Sequence, residues 1–140
     1  MAKPSTEDRI AIEDLLVRYT TSLDALDIEA LVGCFVEDCL LESPVVGRYE
    51  GLAGIRRFAE DMARHARQHG GTFRHVVSNF RIDVEGDRGT ARCYLLDFLT
   101  AGGRTELLSP GEYECELIKL AGEWRFKSRI VHMDHVFTLR

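Results

Sequence analysis

His75 is the side chain best placed to do chemistry, because it sits in an alternating run between apolar neighbours. Phe73, His75, Val77 and Asn79 fall on one face of a strand, since successive strand side chains point to opposite sides. An imidazole between a phenylalanine and a valine is partly desolvated. Burial lowers its pKa and a nearby carboxylate raises it, so such a pair can hold a base that accepts a proton near neutral pH. The plainer alternative is a core histidine bonded to backbone. Two acids also stand out by the rows they fall in. Asp97 shares a strand face with Ala91, Cys93, Leu95 and Leu99. An acid in an apolar row is either exposed at a strand end or a buried functional group. Asp24 ends a helical row that begins with Ile10 and Val17. It is either solvated near the helix end or part of a pocket. A helix turns ~100° per residue, which puts Asp24 ~140° from Tyr19. The two reach one pocket only from different sides.

The elements that must position these residues are legible from periodicity. Ser5 and Asp8 form a capping box that opens a helix. Ile12, Leu15, Leu16, Tyr19, Leu23 and Leu26 follow at helical spacing. The second row, Ile10, Val17 and Asp24, predicts that this helix buries two sides. Asp27 caps a short helix through Ile28, Leu31, Val32 and Phe35. Residues 36–50 read as a short strand and a loop. A third helix carries Ile55, Phe58, Ala59, Met62 and Ala66 and stops at Gly70-Gly71. The period then changes to two, with strands over 73–84, 90–99, 112–120 and 124–134. Tyr113, Cys115 and Leu117 form the apolar row of the third of these. In the last, Trp124, Phe126, Ser128 and Ile130 share one face, so Arg129 points away from any pocket unless a bulge turns it. His132 and Asp134 share the Trp124 parity and are the alternative at a pocket mouth. Helices followed by meandering strands predict a single α+β domain over residues 1–140.

Bulk properties exclude several classes. With 140 residues, 45% of them hydrophobic, and a formal net charge of −5, the chain lacks the basic footprint of a nucleic-acid binder. Arg56, Arg57, Arg64 and Arg67 are interleaved with Glu60 and Asp61, which reads as a solvated helix face. No run is long enough for a membrane span, and no secretory signal is expected from the residues at the start of the sequence. Cys34, Cys39, Cys93 and Cys115 form no Cys-x-x-Cys pair and read as reduced core residues of a cytoplasmic protein. No metal site is expected: zinc-ligand spacing is absent, and His132 and His135 fall on opposite strand faces. Apolar residues on both sheet faces (Val76, Phe80, Ile82, Tyr94, Leu96 and Phe98 lie opposite the pocket rows) predict a homo-oligomer, dimer or trimer.

Several segments together carry a resemblance. Tyr19-Thr-Thr-Ser-Leu-Asp24-Ala-Leu-Asp27, Phe35-Val-Glu-Asp38, Tyr49-Glu-Gly51, Arg74-His75-Val-Val-Ser-Asn79 and Gly122-Glu-Trp124-Arg-Phe resemble the SnoaL-like branch of the nuclear transport factor 2-like superfamily. The resemblance implies a cone-shaped α+β fold, three N-terminal helices packed on a strongly curved antiparallel or mixed sheet. Dehydratase-like members include scytalone dehydratase, bile-acid 7α-dehydratase and hexachlorocyclohexane dehydrochlorinase. In them an aspartate late in the first helix pairs with a histidine opening a strand. Asp24 and His75 match those positions, and Tyr19, Asp97 and Arg129 match further pocket positions of the bile-acid enzyme. Ketosteroid isomerases place their base just before a proline, where this chain has Ser43 before Pro44. The resemblance thus implies a cofactor-independent lyase or isomerase, with Asp24, His75 and Tyr19 catalytic. Asp97, Arg129, Asn79, Tyr113, Val77, Phe58 and Leu95 would bind an apolar or polycyclic small molecule. Because the superfamily also holds non-enzymes, a container that only binds remains the third reading.

Overall fold

The structure, a computed structural model, describes residues 2–137. Helix α1 (Thr6–Asp24) starts as the capping box predicts, with Ser5 Oγ accepting from the Asp8 N–H at 3.1 Å. Its row of Ile12, Leu15, Leu16, Tyr19 and Leu23 is buried. The second flank is not: Ile10 is 63% and Val17 43% exposed, so α1 buries one side rather than two. Only the last member of that flank, Asp24, turns toward the sheet. Asp27 caps α2 (Ile28–Val32) by accepting from the Ala30 N–H at 3.1 Å. Helix α3 (Gly51–His69) buries Ile55, Phe58, Ala59, Met62 and Ala66 and stops at Gly70 in the left-handed region.

The strands are β1 (Phe35–Ser43), β2 (Gly47–Glu50), β3 (Thr72–Glu85), β4 (Arg88–Ala101), β5 (Arg104–Leu120) and β6 (Glu123–Met133). They form one sheet in the order β2-β1-β6-β5-β4-β3, antiparallel except for the parallel pair β1·β6. Strand β5 begins well before residue 112. Pro110 and Gly111 mask its first half in the sequence, yet they pair with Leu96 and Leu95. Gly111 is required there by close approach, since a Cβ would meet the His132 carbonyl oxygen at 2.5 Å.

The expected strongly curved, cone-forming sheet is corrected. The sheet is not strongly curved: its strands run in one open order, and the edge strands β2 and β3 stand at opposite ends without pairing. Departures from regular register are single breaks within strand pairs. A bulge bends a strand locally. The core is therefore closed by helices laid on the sheet, α1 against β3 and β6 and α3 against β1 and β2.

Two of those breaks decide which side chains face the core. In β3 the register slips between Ser78 and Arg81, with Asn79 at φ 57°. Phe73, His75 and Val77 face inward before the slip, and Phe80, Ile82 and Val84 after it. Phe80 and Ile82 are thus core residues, not part of an outer apolar face. In β6 the slip lies between Phe126 and Ser128, opposite Leu117 and Glu116. Trp124 and Phe126 face inward before it, and Arg129 after it.

Candidate active site

Helix α1 ends against β3, and this junction joins the two groups singled out by the sequence. Asp24 Oδ1 lies 2.6 Å from His75 Nδ1, and Asp24 Oδ2 accepts from the His75 backbone N–H at 3.0 Å. Both carboxylate oxygens are therefore spent on one residue. The arrangement fixes the ring and makes Nδ1 the protonated nitrogen of the neutral imidazole. Nε2 is left facing Asp97, the cross-strand partner of His75 on β4, with Oδ1 at 3.4 Å. All three side chains are largely buried. Burial pushes the Asp97 carboxyl above its ordinary range; the His75 charge opposes this and the Asp24 charge reinforces it. Asp97 Oδ1 has no hydrogen-bond partner among the described residues.

Tyr19 reaches the same hollow from one turn earlier on α1. The helix wheel is right that Tyr19 and Asp24 do not share a face. Tyr19 lines the hollow, whereas Asp24 stands behind His75 and does not line it. Burial pushes the Tyr19 phenol up to about 12, against the pull of Arg129. It is a hydrogen-bond donor at any physiological pH.

Arg129 is fully buried, contrary to simple strand parity, because of the β6 bulge. Its guanidinium carbon lies 3.8 Å from the Tyr19 ring centre, 3.6 Å from that of Tyr113 and 4.7 Å from that of Phe126. Nη1 donates to Cys115 Sγ at 3.3 Å, while Nε and Nη2 have no partner among the described residues. An unpaired buried cation is costly, and aromatic faces are what compensate it here. The charge sits one ring behind the cavity wall. His132 points outward to Glu114 at 3.2 Å and is not at the pocket mouth.

The hollow holds about 490 Å³ of empty space counted out to its mouth, of which about 50 Å³ is open to the centres of water molecules. Tyr19, His75, Asp97 and Tyr113 form its polar end. Leu95 and Phe58 line it as the sequence suggested. Val77 packs into the core instead, and Asn79 is exposed at the bulge; neither reaches the hollow. The sequence reading missed Leu41, Ser43, Val45 and Val46 from the β1–β2 hairpin, Met62 of α3, and Val131, Met133 and Phe137. Met62 follows Phe58 by one helical turn and was recoverable from spacing. Val131 and Met133 were not, since their facing depends on the β6 bulge. No group of three or more His, Cys, Asp or Glu that could hold a metal ion occurs among the described residues. No helix there is long and apolar enough to cross a membrane.

The model of the SnoaL-like domain family matches residues 4–130. A curated relative from Mycobacterium tuberculosis, itself named only as uncharacterised, is 27% identical over 128 residues, 88% of this chain and 83% of its own length. Among solved structures, Rv3472, a protein of unknown function from the same species, is 30% identical with a TM-score of 0.81, covering 91% of this chain and 72% of that one. A protein from Novosphingobium aromaticivorans, provisionally named an aromatic ring hydroxylase, is 26% identical with a TM-score of 0.80, over 95% and 93% of the two chains. Another from that organism, provisionally named a scytalone dehydratase, is 24% identical with a TM-score of 0.78, over 91% and 85%. At that identity it speaks for the fold.

Proposed function

This chain belongs to the SnoaL-like domain family, and on that premise we propose that it is a cofactor-independent lyase of the dehydratase kind, acting on a small β-hydroxy carbonyl compound. The observation that carries this reading is the Asp24–His75–Asp97 relay, with contacts of 2.6 and 3.4 Å, beside Tyr19 in an apolar hollow. His75 Nε2 takes the proton from the carbon next to the carbonyl. Asp24 stabilises the imidazolium that forms. The electron pair moves onto the carbonyl oxygen, which accepts a hydrogen bond from the Tyr19 hydroxyl. The enolate collapses, the β C–O bond breaks, and the Asp97 carboxyl gives the departing hydroxide its proton, releasing water. A proton passing from His75 Nε2 to Asp97 resets the site. Burial supports the protonated form of Asp97 that this cycle starts from. Apolar walls exclude water and strengthen each interaction.

Isomerisation or cyclisation would begin with the same proton abstraction. The absence of a carboxylate at Ser43, which lines the hollow, favours elimination over the isomerase arrangement. The 2.6 Å dyad contact, made beside a hollow rather than packed over, argues against a container that only binds. The four buried free thiols fit a reducing compartment. The exposed outer face of β3 and β4 suits a second copy of the chain.

The test is turnover. Hydroxy-ketones are screened for loss of one water by mass and for the ultraviolet absorbance of a new conjugated double bond. On a confirmed substrate, His75→Ala and Asp24→Asn are expected to stay folded and lose about 10²–10⁴ in rate, the usual worth of acid–base assistance. Full activity in both variants would sink the proposal, and a product of unchanged mass would move the reaction to isomerisation.

A further inference from the structure

The wall at the mouth of the hollow is shared. Val45, Val46, Met62 and Phe137 line the inner hollow on one side and, on the other, a second, outer hollow with about 770 Å³ of empty space counted out to its mouth. The inner space open to water centres, about 50 Å³, takes roughly three to five waters, or one small ring. A longer molecule that crosses that wall enters the outer hollow.

The wall is made by a turn, a flexible side chain and a terminal segment. Val45 and Val46 belong to the turn between β1 and β2. Met62 has a flexible side chain. Phe137 is carried by a short segment after β6 that is fastened to the first half of β5. There the Asp134 N–H donates to the Pro110 carbonyl at 3.0 Å and the His135 N–H to Ser109 Oγ at 3.3 Å, and His135 Nε2 lies 2.7 Å from the Leu108 carbonyl oxygen. Ser109 is fully buried, so the anchor is firm, and Val136 and Phe137 follow it outside any strand.

The far side of the outer hollow is polar. Tyr49 donates to Asp61 Oδ2 at 3.1 Å, and Arg64 Nη2 to Asp61 Oδ1 at 2.8 Å. Burial raises the Asp61 carboxyl, but these two donors outweigh it and hold it below its ordinary range. Asp61 is ionised and both its oxygens are taken. Arg64 spends one nitrogen on that bond, keeps further N–H donors, and is 53% exposed. What this hollow offers a ligand is therefore a cationic donor.

We propose that the outer hollow is a second subsite of the same binding site, separated from the inner one by the Phe137 plug. It takes the far, oxygen-bearing end of a molecule whose carbonyl head occupies the inner hollow, a carboxylate being the best match for Arg64. The proposal rests on reading the inner hollow as a carbonyl site.

Three probes separate the possibilities by calorimetry on the full chain: acetophenone, 4-acetylbiphenyl, and 4-acetylbiphenyl-4′-carboxylate. Phe137→Ala removes the competing closed state. It is expected to tighten both biphenyls about tenfold and to leave acetophenone within about twofold, because a ligand's apparent affinity scales with the open fraction. His135→Ala, which loosens the anchor and leaves the plug intact, is expected to act in the same direction. Arg64→Gln is expected to weaken the carboxylate alone, about threefold, and so to bring it level with the neutral biphenyl. The proposal is overturned if Phe137→Ala shifts all three probes equally, if the biphenyls bind neither protein while acetophenone binds both, or if Arg64→Gln leaves the carboxylate as tight as before or weakens both biphenyls alike. Failure of acetophenone itself to bind would count against the inner carbonyl site, and hence against the lyase reading as well.

Discussion

At the scale of single residues, the candidate site is set by how two acids are treated differently. Asp24 has both oxygens committed to His75, whereas Asp97 is buried with Oδ1 unpartnered. The first orients the imidazole, and burial favours the protonated form of the second. The second assignment has a consequence for stability. Burial raises the folded-state pKa of Asp97 above its unfolded value of 3.8. Below pH 3.8 both states are protonated and nothing is lost. As pH rises through the window from 3.8 to the raised folded value, the unfolded chain releases a proton that the folded one retains, and stability falls. Asp97→Asn removes this linkage. The variant is expected to melt above the parent at pH 7, with the gap closing toward pH 4, in a series of thermal melts read as a difference. The difference cancels the opposite linkage of Asp8, Glu29, Asp61 and Glu112, whose folded-state pKa values are lowered. A gap that is constant with pH would remove the argument for a protonated Asp97.

At the scale of elements, bulges rather than strand propensities decide what the site contains. Asn79 adopts φ 57°, a left-handed conformation that asparagine tolerates and a β-branched residue does not. Asn79→Gly is expected to be nearly neutral, and Asn79→Val to cost about 1–2 kcal/mol in chemical denaturation. Equal stability of the two would mean that the bulge has no conformational requirement. This is also where the sequence stopped being informative. The helices were legible because apolar residues at helical spacing, and caps at Ser5 and Asp27, report themselves locally. His75 and Asp97 were legible because their own strands alternate regularly around them. The Asp24–His75 contact was not: it depends on where α1 ends over β3, which no local pattern encodes, and only the resemblance suggested it. Arg129, Val131 and Met133 were misread or missed because a period-two pattern carries no mark of an extra residue. The same limit cost Asn79 its expected place in the wall, and placed Phe80 and Ile82 on the wrong face.

At the scale of the whole molecule, the open sheet has one face covered by helices and one face bare. On the bare face Val76 is 47%, Leu96 36% and Tyr94 56% exposed, and Val76 pairs directly with Leu96 across β3 and β4. Adjacent exposed aliphatic and aromatic side chains on a sheet face are costly to leave in water and are where a second copy of the chain is expected to dock. Beside them Arg92 bridges Glu112 and Glu114 across β4 and β5, and His132 of β6 meets Glu114, a polar border of the kind that rims an apolar contact. With Phe80 and Ile82 turned into the core, the patch is smaller than the sequence suggested and confined to the end of the sheet that carries His75 and Asp97. Self-association through it would bury the back of the strands that hold the relay and stiffen them, without touching the mouth of the hollow. At micromolar concentration the chain is expected to sediment as a dimer or trimer, and Tyr94→Glu, which places a charge at the centre of the patch, to shift it at least tenfold toward the 15.9 kDa monomer. A parent chain that sediments as a monomer at that concentration would show that the patch is left in water, and that the relay is held by the sheet and α1 alone.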